Sequence, residues 1–309
     1  MHELMNVWKK YTSLIGISLL KFISYIPFSL MYLISDMMFV VVYHFIRYRR
    51  EVVSGNLRKS FPDKTKKELH EIERKYYRYM CDLTLEALKT GNMCINELNK
   101  RMAIKNPELL NQFFDEGRSV IVMAMHFGNW EWLLHMPLHI RHHQYFVYKP
   151  LHNYAFDQYL NGLRSRFGGE TISMNLALRK IIEADKKNMP VMTWLAADQT
   201  PPWFHPFWTI FLNQEAQFFD GPAKIAQRFN QPIVFQHIRR VSRGFYETWF
   251  EDLFTEPRSV SEDQIILAYV DKIEQVINND PALYLWSHRR WKHSRPAEAK
   301  LHLPENFRN

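Results

Sequence analysis

Cysteine is almost missing from this 309-residue chain, which has Cys81 and Cys94 and no others. Two cysteines make no disulfide framework and have no metal-ligand spacing, so a reducing compartment is the default and both read as packing residues. The chain also has no Gly-rich phosphate loop, no Gly-x-Ser-x-Gly elbow and no His-Glu-x-x-His pattern. Those absences argue against P-loop phosphoryl transfer, elbow-type serine hydrolysis and zincin chemistry. No repeat or low-complexity tract is visible. Acidic residues run short, with 32 Asp plus Glu against 40 Lys plus Arg, for a formal net charge of +8. That excess favours anionic partners such as phospholipid surfaces, phosphorylated lipids, an acidic carrier protein or nucleic acid. No nucleic-acid fold motif accompanies the charge, so a non-catalytic binding protein is the weaker reading.

Aromatic residues are abundant, and many gather near the N-terminus. From Tyr11 to Phe45 the chain is apolar and aromatic, interrupted by Lys21, Pro27 and Asp36. A hydrocarbon span needs about 20 mostly apolar residues, so this run is long enough to cross a bilayer. It is too long for a signal peptide, and no small-residue cleavage site follows it. Lys9 and Lys10 precede it, while Arg47, Arg49, Arg50, Arg58 and Lys59 follow. If the segment spans, that asymmetry puts the rest of the chain in the cytoplasm. A kinked amphipathic hairpin lying in the interface is the alternative.

The expected organisation is a short segment 1–10, a membrane anchor 11–46, a helical basic region 47–102, an α/β domain 103–296 and a loose polar tail 297–309. Within the α/β domain, apolar runs at Val120–Met125, Tyr145–Tyr148, Val191–Ala197, Pro232–Arg240, Phe245–Phe250 and Leu283–Trp286 read as strands. Helical periodicity falls between them, which indicates a mixed-sheet α/β sandwich. Residues 92–102 read as a polar connector. The Pro-, Trp- and Phe-rich stretch Thr200–Phe219 reads as a loop of the kind that forms lids.

Polar clusters follow several of these strands, where open α/β sheets collect their ligands. The first is His126-Phe-Gly-Asn-Trp-Glu131, a strand-to-helix turn with Asn129 as N-cap and Glu131 in the first helical turn. A histidine there can act as a general base, and a nearby carboxylate can fix its tautomer. Taken alone, a His and a Glu five apart are a chance-level pair. Lys149-Pro-Leu-His-Asn153, Asp198-Gln199 and Trp286-Ser-His288-Arg289-Arg290 follow later strands, and Arg164 and Arg166 close the intervening helix. His135 and His139 lie four apart on the helix that carries Glu131, but with His142 and His143 beside them they read as a surface cluster rather than a metal site.

His126-Phe-Gly-Asn-Trp-Glu131 resembles the His-x4-Asp/Glu signature of the lysophospholipid acyltransferase-like superfamily. The chain looks most like the late lipid A biosynthesis acyltransferases within it. Asn56-Leu57 with Phe61-Pro62, Tyr148-Lys-Pro-Leu-His-Asn153, Asp198-Gln199 and Tyr284-Leu-Trp-Ser-His-Arg-Arg-Trp-Lys292 extend the likeness over nearly the whole chain. Lys149 stands where the family commonly has Arg, and the Thr200–Phe211 stretch is unusually aromatic.

The resemblance implies a glycerolipid-acyltransferase type of fold behind an N-terminal membrane helix. It also implies transfer of a fatty acyl group from a thioester on acyl carrier protein or coenzyme A to a hydroxyl of a lipid A precursor, with no cofactor, metal or covalent intermediate. His126 would be the base and Glu131 its orienting acid. Asn129, Lys149, Arg164, Arg166, Asp198, Gln199, His288 and Arg289 are the candidates for oxyanion stabilisation or substrate binding. The implied location is the cytoplasmic face of a bacterial inner membrane, with acyl carrier protein and a phosphorylated lipid as partners. The same superfamily also allows another lipid acceptor, such as an aminolipid, a glycolipid or a pigment.

Overall fold

The apolar N-terminal run does not form one helix. In the computed structural model, which describes residues 2–303 and side chains from Thr12 onward, it breaks at Pro27 into α1 (His2–Ser24) and α2 (Phe28–Val40). A π-helical turn, Val41–Ile46, extends α2. The expected short segment 1–10 is therefore helical from His2, while the side chains of Lys9 and Lys10 and the end of the tail lie outside the described residues.

Three helices follow: α3 (Arg50–Ser60), α4 (Lys66–Lys89) and α5 (Ile95–Arg101). Thr65 starts α4 with a capping box, its backbone N–H donating to the Glu68 carboxylate at 2.8 Å. The body then runs β1 (Met102–Ile104), α6 (Glu108–Asp115), β2 (Val120–Ala124), a 3-10 helix Trp130–Leu138, β3 (His143–Tyr148) and α7 (Tyr154–Arg164). Next come β4 (Glu170–Ser173), α8 (Ala177–Lys186), β5 (Val191–Ala196), β6 (Trp208–Phe211), β7 (Gln214–Gln217) and α9 (Gly221–Phe229). The chain closes with β8 (Ile233–Ser242), β9 (Phe245–Phe254), α10 (Glu262–Asn279) and β10 (Leu301–His302).

Seven strands form one mixed sheet in the order β1-β9-β8-β2-β5-β3-β4. All neighbours are parallel except β8 and β9, which make an antiparallel hairpin. β2 lies at the centre, buried at every position, as its continuous apolar run requires. The apolar stripe of α10 packs one face of the sheet through Ile266, Tyr269 and Ile273, and the aromatic α4 residues Tyr76 and Tyr79 join the same core.

Several expectations are corrected. The connector 92–102 contains α5 and leads into the edge strand β1 at Met102. Residues 130–138 form a 3-10 helix, not an α-helix, and Pro137 inside it has no N–H to give to a ladder. Leu283–Trp286 is not a sheet strand, since Pro281–Leu283 is a 3-10 turn and Tyr284 makes a single bridge to Phe127. The 200–219 stretch contains the β6–β7 hairpin, and the tail returns so that Leu301 pairs with Trp208 in a second small sheet. The Leu301–Trp208 pairing joins residues far apart in the chain and leaves no local periodic signal.

α2 runs along the body. Tyr32 donates to Glu86 at 2.8 Å, Ser35 donates to Asp82 at 2.7 Å, and Asp36 pairs with Arg243 at 2.9 Å. Asp36 sits about half-way along the Phe28–Ile46 stretch, where a carboxylate at a bilayer midplane would cost about 2.5–3.5 kcal/mol. On this protein it has a guanidinium partner instead.

Candidate active site

The site is built by two parallel neighbours of the central sheet. Ala124 at the end of β2 stands opposite Ala196 at the end of β5. Carrying that register two residues onward puts His126 opposite Asp198. The side chains meet there: His126 Nδ1 lies 2.7 Å from Asp198 Oδ1, and the His126 backbone N–H donates to Asp198 Oδ2 at 3.1 Å. An ionised carboxylate only accepts, so Nδ1 carries the proton and Nε2 keeps its lone pair. The Asp198 side chain is buried, while the His126 ring keeps 22% of its surface open.

The electrostatics suit a base. Burial opposes charging the His126 ring, but Asp198 beside it, with Glu131 further off, outweighs burial and holds its pKa above the ordinary histidine value; Arg164 acts against them. Burial likewise pushes Asp198 up, but His126 and then Arg290 prevail and hold it below the usual carboxylate range.

Glu131 occupies a different position from the one expected. Among the described residues no hydrogen bond joins it to His126. Its carboxylate accepts from Arg164 Nη2 at 3.2 and 3.4 Å and from the Trp130 indole at 3.2 Å. Trp130 in turn sets its ring edge-on to His126, 5.2 Å between centroids. The base, its carboxylate, a guanidinium and a second carboxylate thus share one end of the sheet.

The profile of the bacterial lipid A biosynthesis acyltransferases matches residues 2–293. The chain belongs to that family. A crystal structure of a 1-acyl-sn-glycerophosphate (LPA) acyltransferase, PlsC, from Thermotoga maritima is similar over 80% of this chain and 92% of that one, at 14% identity and a TM-score of 0.35. No protein of curated function matches the chain.

In this acyltransferase the turn around His126 is held from both sides. Tyr79 donates to the Gly128 carbonyl at 2.6 Å, and Tyr269 donates to the Ala124 carbonyl at 2.6 Å. Gly128 has φ +58°, and a Cβ there would meet Ile238 Cγ2 at 2.6 Å, so both backbone and space demand glycine. The Gly128 N–H already donates to the Leu283 carbonyl at 3.1 Å, which removes it as an oxyanion donor.

Asn129 and Arg166 are not at the substrate face. Asn129 is fully buried; its Oδ1 caps the Trp132 N–H at 3.1 Å and its Nδ2 donates to Glu86 at 2.8 Å. Arg166 turns away and bonds carbonyls of the α4–α5 connection, including Met93 at 3.0 Å. Both are structural because a helix start and a chain reversal need their polar groups satisfied. Lys149 is exposed and Gln199 half-buried, and neither has a hydrogen-bond partner among the described residues.

The segment after Leu283 is strapped across the site. Asn56 on α3 donates to the Trp286 and His288 carbonyls at 2.9 and 3.0 Å, and Arg49 donates to the Ser287 carbonyl at 3.0 Å. Thr200, two residues past Asp198, donates to the Arg290 carbonyl at 2.7 Å. His288 thereby comes near Asp198 and His126; burial first, then the neighbouring cations, bring its pKa down to about 4, so the ring is neutral. Arg289 is exposed. Arg290, which the strand-end reading left in a general basic cluster, is 1% exposed, stacks 4.3 Å over Phe218 and donates to the Gln217 carbonyl. Its Nε and Nη1 have no hydrogen-bond partner among the described residues, and it is the positive charge behind Asp198. A lone Arg in an Arg-Arg pair carries no signal for this; only burial distinguishes Arg290 from Arg289.

The surface histidine cluster is partly core. His135 is fully buried, with Nδ1 2.8 Å from the Trp132 carbonyl and Nε2 3.1 Å from the Met102 carbonyl. No group of three His, Cys, Asp or Glu side chains suited to a metal occurs among the described residues.

Proposed function

We propose that the protein transfers a fatty acyl chain from an acyl thioester, carried by acyl carrier protein, to a hydroxyl of a lipid A precursor. The observation that carries this reading is the His126–Asp198 contact of 2.7 Å, with Nε2 left open, inside a chain of the lipid A acyltransferase family. Nε2 takes the acceptor hydroxyl proton as the oxygen attacks the thioester carbonyl. Asp198 holds the ring in the required tautomer and stabilises the imidazolium. The tetrahedral oxyanion then expels the thiolate, which receives the proton back from His126 Nε2. One ester C–O bond forms, one thioester C–S bond breaks, and no group stays on the enzyme. General-base catalysis of this kind contributes about 10²–10⁴-fold.

The Arg164 guanidinium is the proposed oxyanion partner. Glu131 holds it through Nη2 and leaves its other donors for the substrate. Glu131 therefore acts on His126 through its charge and on the oxyanion through Arg164. Lys149 and Arg289, both exposed and cationic, are the proposed contacts for an acidic carrier or a phosphorylated head group. The proposed location is the cytoplasmic face of a bacterial inner membrane, where acceptor and product stay in the lipid phase.

The deciding experiment is mass spectrometry of lipid A from a strain lacking the gene, with and without the wild-type chain and His126→Ala. One acyl group fewer, restored by the wild type alone, is expected. An unchanged acyl count would end the lipid A assignment and leave transfer to another lipid acceptor.

A further inference from the structure

We propose that Arg290 is a positioning residue of the acyl-transfer site, a buried counter-ion that offsets the Asp198 charge so that His126 rests neutral and free to act as base. This role rests on the proposed function only for the identity of the base; the charge balance itself can be measured without turnover.

The surroundings of Arg290 are unusual for an arginine. Its side chain is 1% exposed, lies 4.3 Å over the Phe218 ring and 5.4 Å over Phe211, and gives one N–H, from Nη2, to the Gln217 carbonyl. Nε and Nη1 have no hydrogen-bond partner among the described residues. Arginines that brace this chain look different. Arg166 donates to the Thr90, Gly91 and Met93 carbonyls and Arg258 to those of Gln227 and Arg228, and both are exposed. A methionine would fill the space against two phenyl rings without burying a cation. What this position uses is the charge.

That charge is fixed to the loop that carries Asp198. Thr200 donates to the Arg290 carbonyl at 2.7 Å, and the Arg290 N–H donates to the His288 carbonyl at 2.9 Å. Gln217, which receives the guanidinium, donates in turn to the Trp203 and His205 carbonyls at 2.8 and 2.9 Å. Both Asp198 oxygens are taken by His126, and no contact ion pair joins Asp198 to Arg290 among the described residues. Arg290 therefore acts through the low-dielectric interior, where a charge is felt beyond contact range. Burial pushes Asp198 up, and His126 first and Arg290 after it bring it below the usual carboxylate range. Burial also pulls Arg290 below the ordinary arginine value.

The charges around His126 balance. On one side Glu131 pairs with Arg164 at 3.2 Å, and on the other Arg290 offsets Asp198. Burial pushes the Tyr269 hydroxyl of α10 and the Tyr284 hydroxyl up and the His288 ring down, so all three are neutral. The exposed Lys292 adds a solvated charge beyond His288. Two anions thus face two cations, and an uncharged His126 completes a neutral set. Without Arg290 the buried His126–Asp198 pair would be negative and would regain neutrality by binding a proton. That proton belongs to the pair. Written on Asp198, it would be donated to Nδ1 and leave the ring proton on Nε2; written on His126, it occupies Nε2 directly. Either way the lone pair that the reaction needs is lost.

The test follows histidine side chains by NMR as the full chain is titrated in detergent micelles, with the His126 signal assigned by its loss in His126→Gln. In Arg290→Met the pair should take up its proton about 1 pH unit or more above the wild type, and in Arg290→Lys the shift should be smaller. The rising limb of kcat/KM for acyl transfer should move with it, so that a loss at neutral pH is recovered in alkaline solution. Lost packing alone would lower the rate by one factor at every pH. An unmoved signal in folded Arg290→Met, or one that moves to lower pH, would overturn the proposal. Should Arg290→Met fail to fold, melting temperatures decide. Asp198→Asn leaves Arg290 as an uncompensated buried charge, so Asp198→Asn combined with Arg290→Met should melt above Asp198→Asn alone. A lower melt for the double variant would sink the counter-ion. A shifted signal without transfer at any pH would instead end the acyl-transfer reading and leave the counter-ion standing.

Discussion

Two buried carboxylates beneath the turn that follows β2 behave in opposite ways. Asp198 is 1% exposed and bonds a titratable partner, His126, with a second cation behind it. Glu86 is fully buried and bonds neutral donors: Tyr32 and Tyr246 hydroxyls at 2.8 and 2.9 Å and the Asn129 amide at 2.8 Å. Burial and partners therefore end in different places. Asp198 is held below the usual carboxylate range, whereas burial pushes Glu86 above it despite its donors. A buried carboxylate beside a group that can carry positive charge keeps its own charge, whereas one beside neutral dipoles bears more of the desolvation cost. Glu86 joins α2, the Asn129 cap and β9 at one point, so the N-terminal helix and the turn after His126 share a hub.

The sharpest way to break the comparison is to remove the base. His126→Ala should cost about 10²–10⁴-fold in acyl transfer while the melting temperature stays within a few degrees. Retained activity would end the mechanism. Asp198→Asn should come next, with a large fall in kcat and a changed pH profile. In the wild type the base must be neutral, so kcat/KM rises with pH through a value above the ordinary histidine pKa of about 6.5. Without the carboxylate that limb moves to lower pH. A limb that stays put would mean Asp198 does not set the histidine.

Glu86→Gln should reverse the order of effects, with a stability loss of about 1–3 kcal/mol by denaturant titration and a smaller loss of kcat. The linkage signs also oppose each other. The Asp198 pKa is depressed by folding, so its contribution is present above about pH 3.9 and is lost as pH falls through the folded value. The Glu86 pKa is raised, so its contribution is fullest below about pH 4.3 and declines as pH rises through the folded value. The Glu86→Gln penalty should therefore be largest in acid. Gly128→Ala should cost about 1–3 kcal/mol, since φ +58° and the Ile238 contact both resist a methyl group. Lys149→Ala should do least, leaving the melt unchanged within about 0.5 kcal/mol and raising KM for an acidic donor with kcat intact.

Much of the site was legible as a list of positions. His126, Glu131, Asp198 and Arg164 lie just past a strand or at the end of a helix, and the α/β alternation predicts that such ends share an edge; His288 reached the list through Leu283–Trp286, which is not a strand. Roles were not legible. Glu131 is five residues from His126 and reads as its partner, yet Asp198, 72 residues away, makes the bond. Asn129 and Arg166 have side chains that suit substrates as well as they suit caps. The β6–β7 hairpin turns over Leu212 and Asn213 alone and was missed because the Pro- and aromatic-rich residues before it mask its short strands. The returning tail was missed because Leu301 pairs with Trp208, far away in the chain.

The sequence by itself determined the alternation of strands and helices, the histidine at the end of the central strand, the apolar N-terminal run and the family, because each is written in local periodicity or an ordered motif. Tertiary structure alone decided which carboxylate touches His126, which arginine of the 289–290 pair is buried, and which face of α2 meets the body. Those depend on strand order and register, and a sheet can bring any two strand ends together without marking either one in its own neighbourhood.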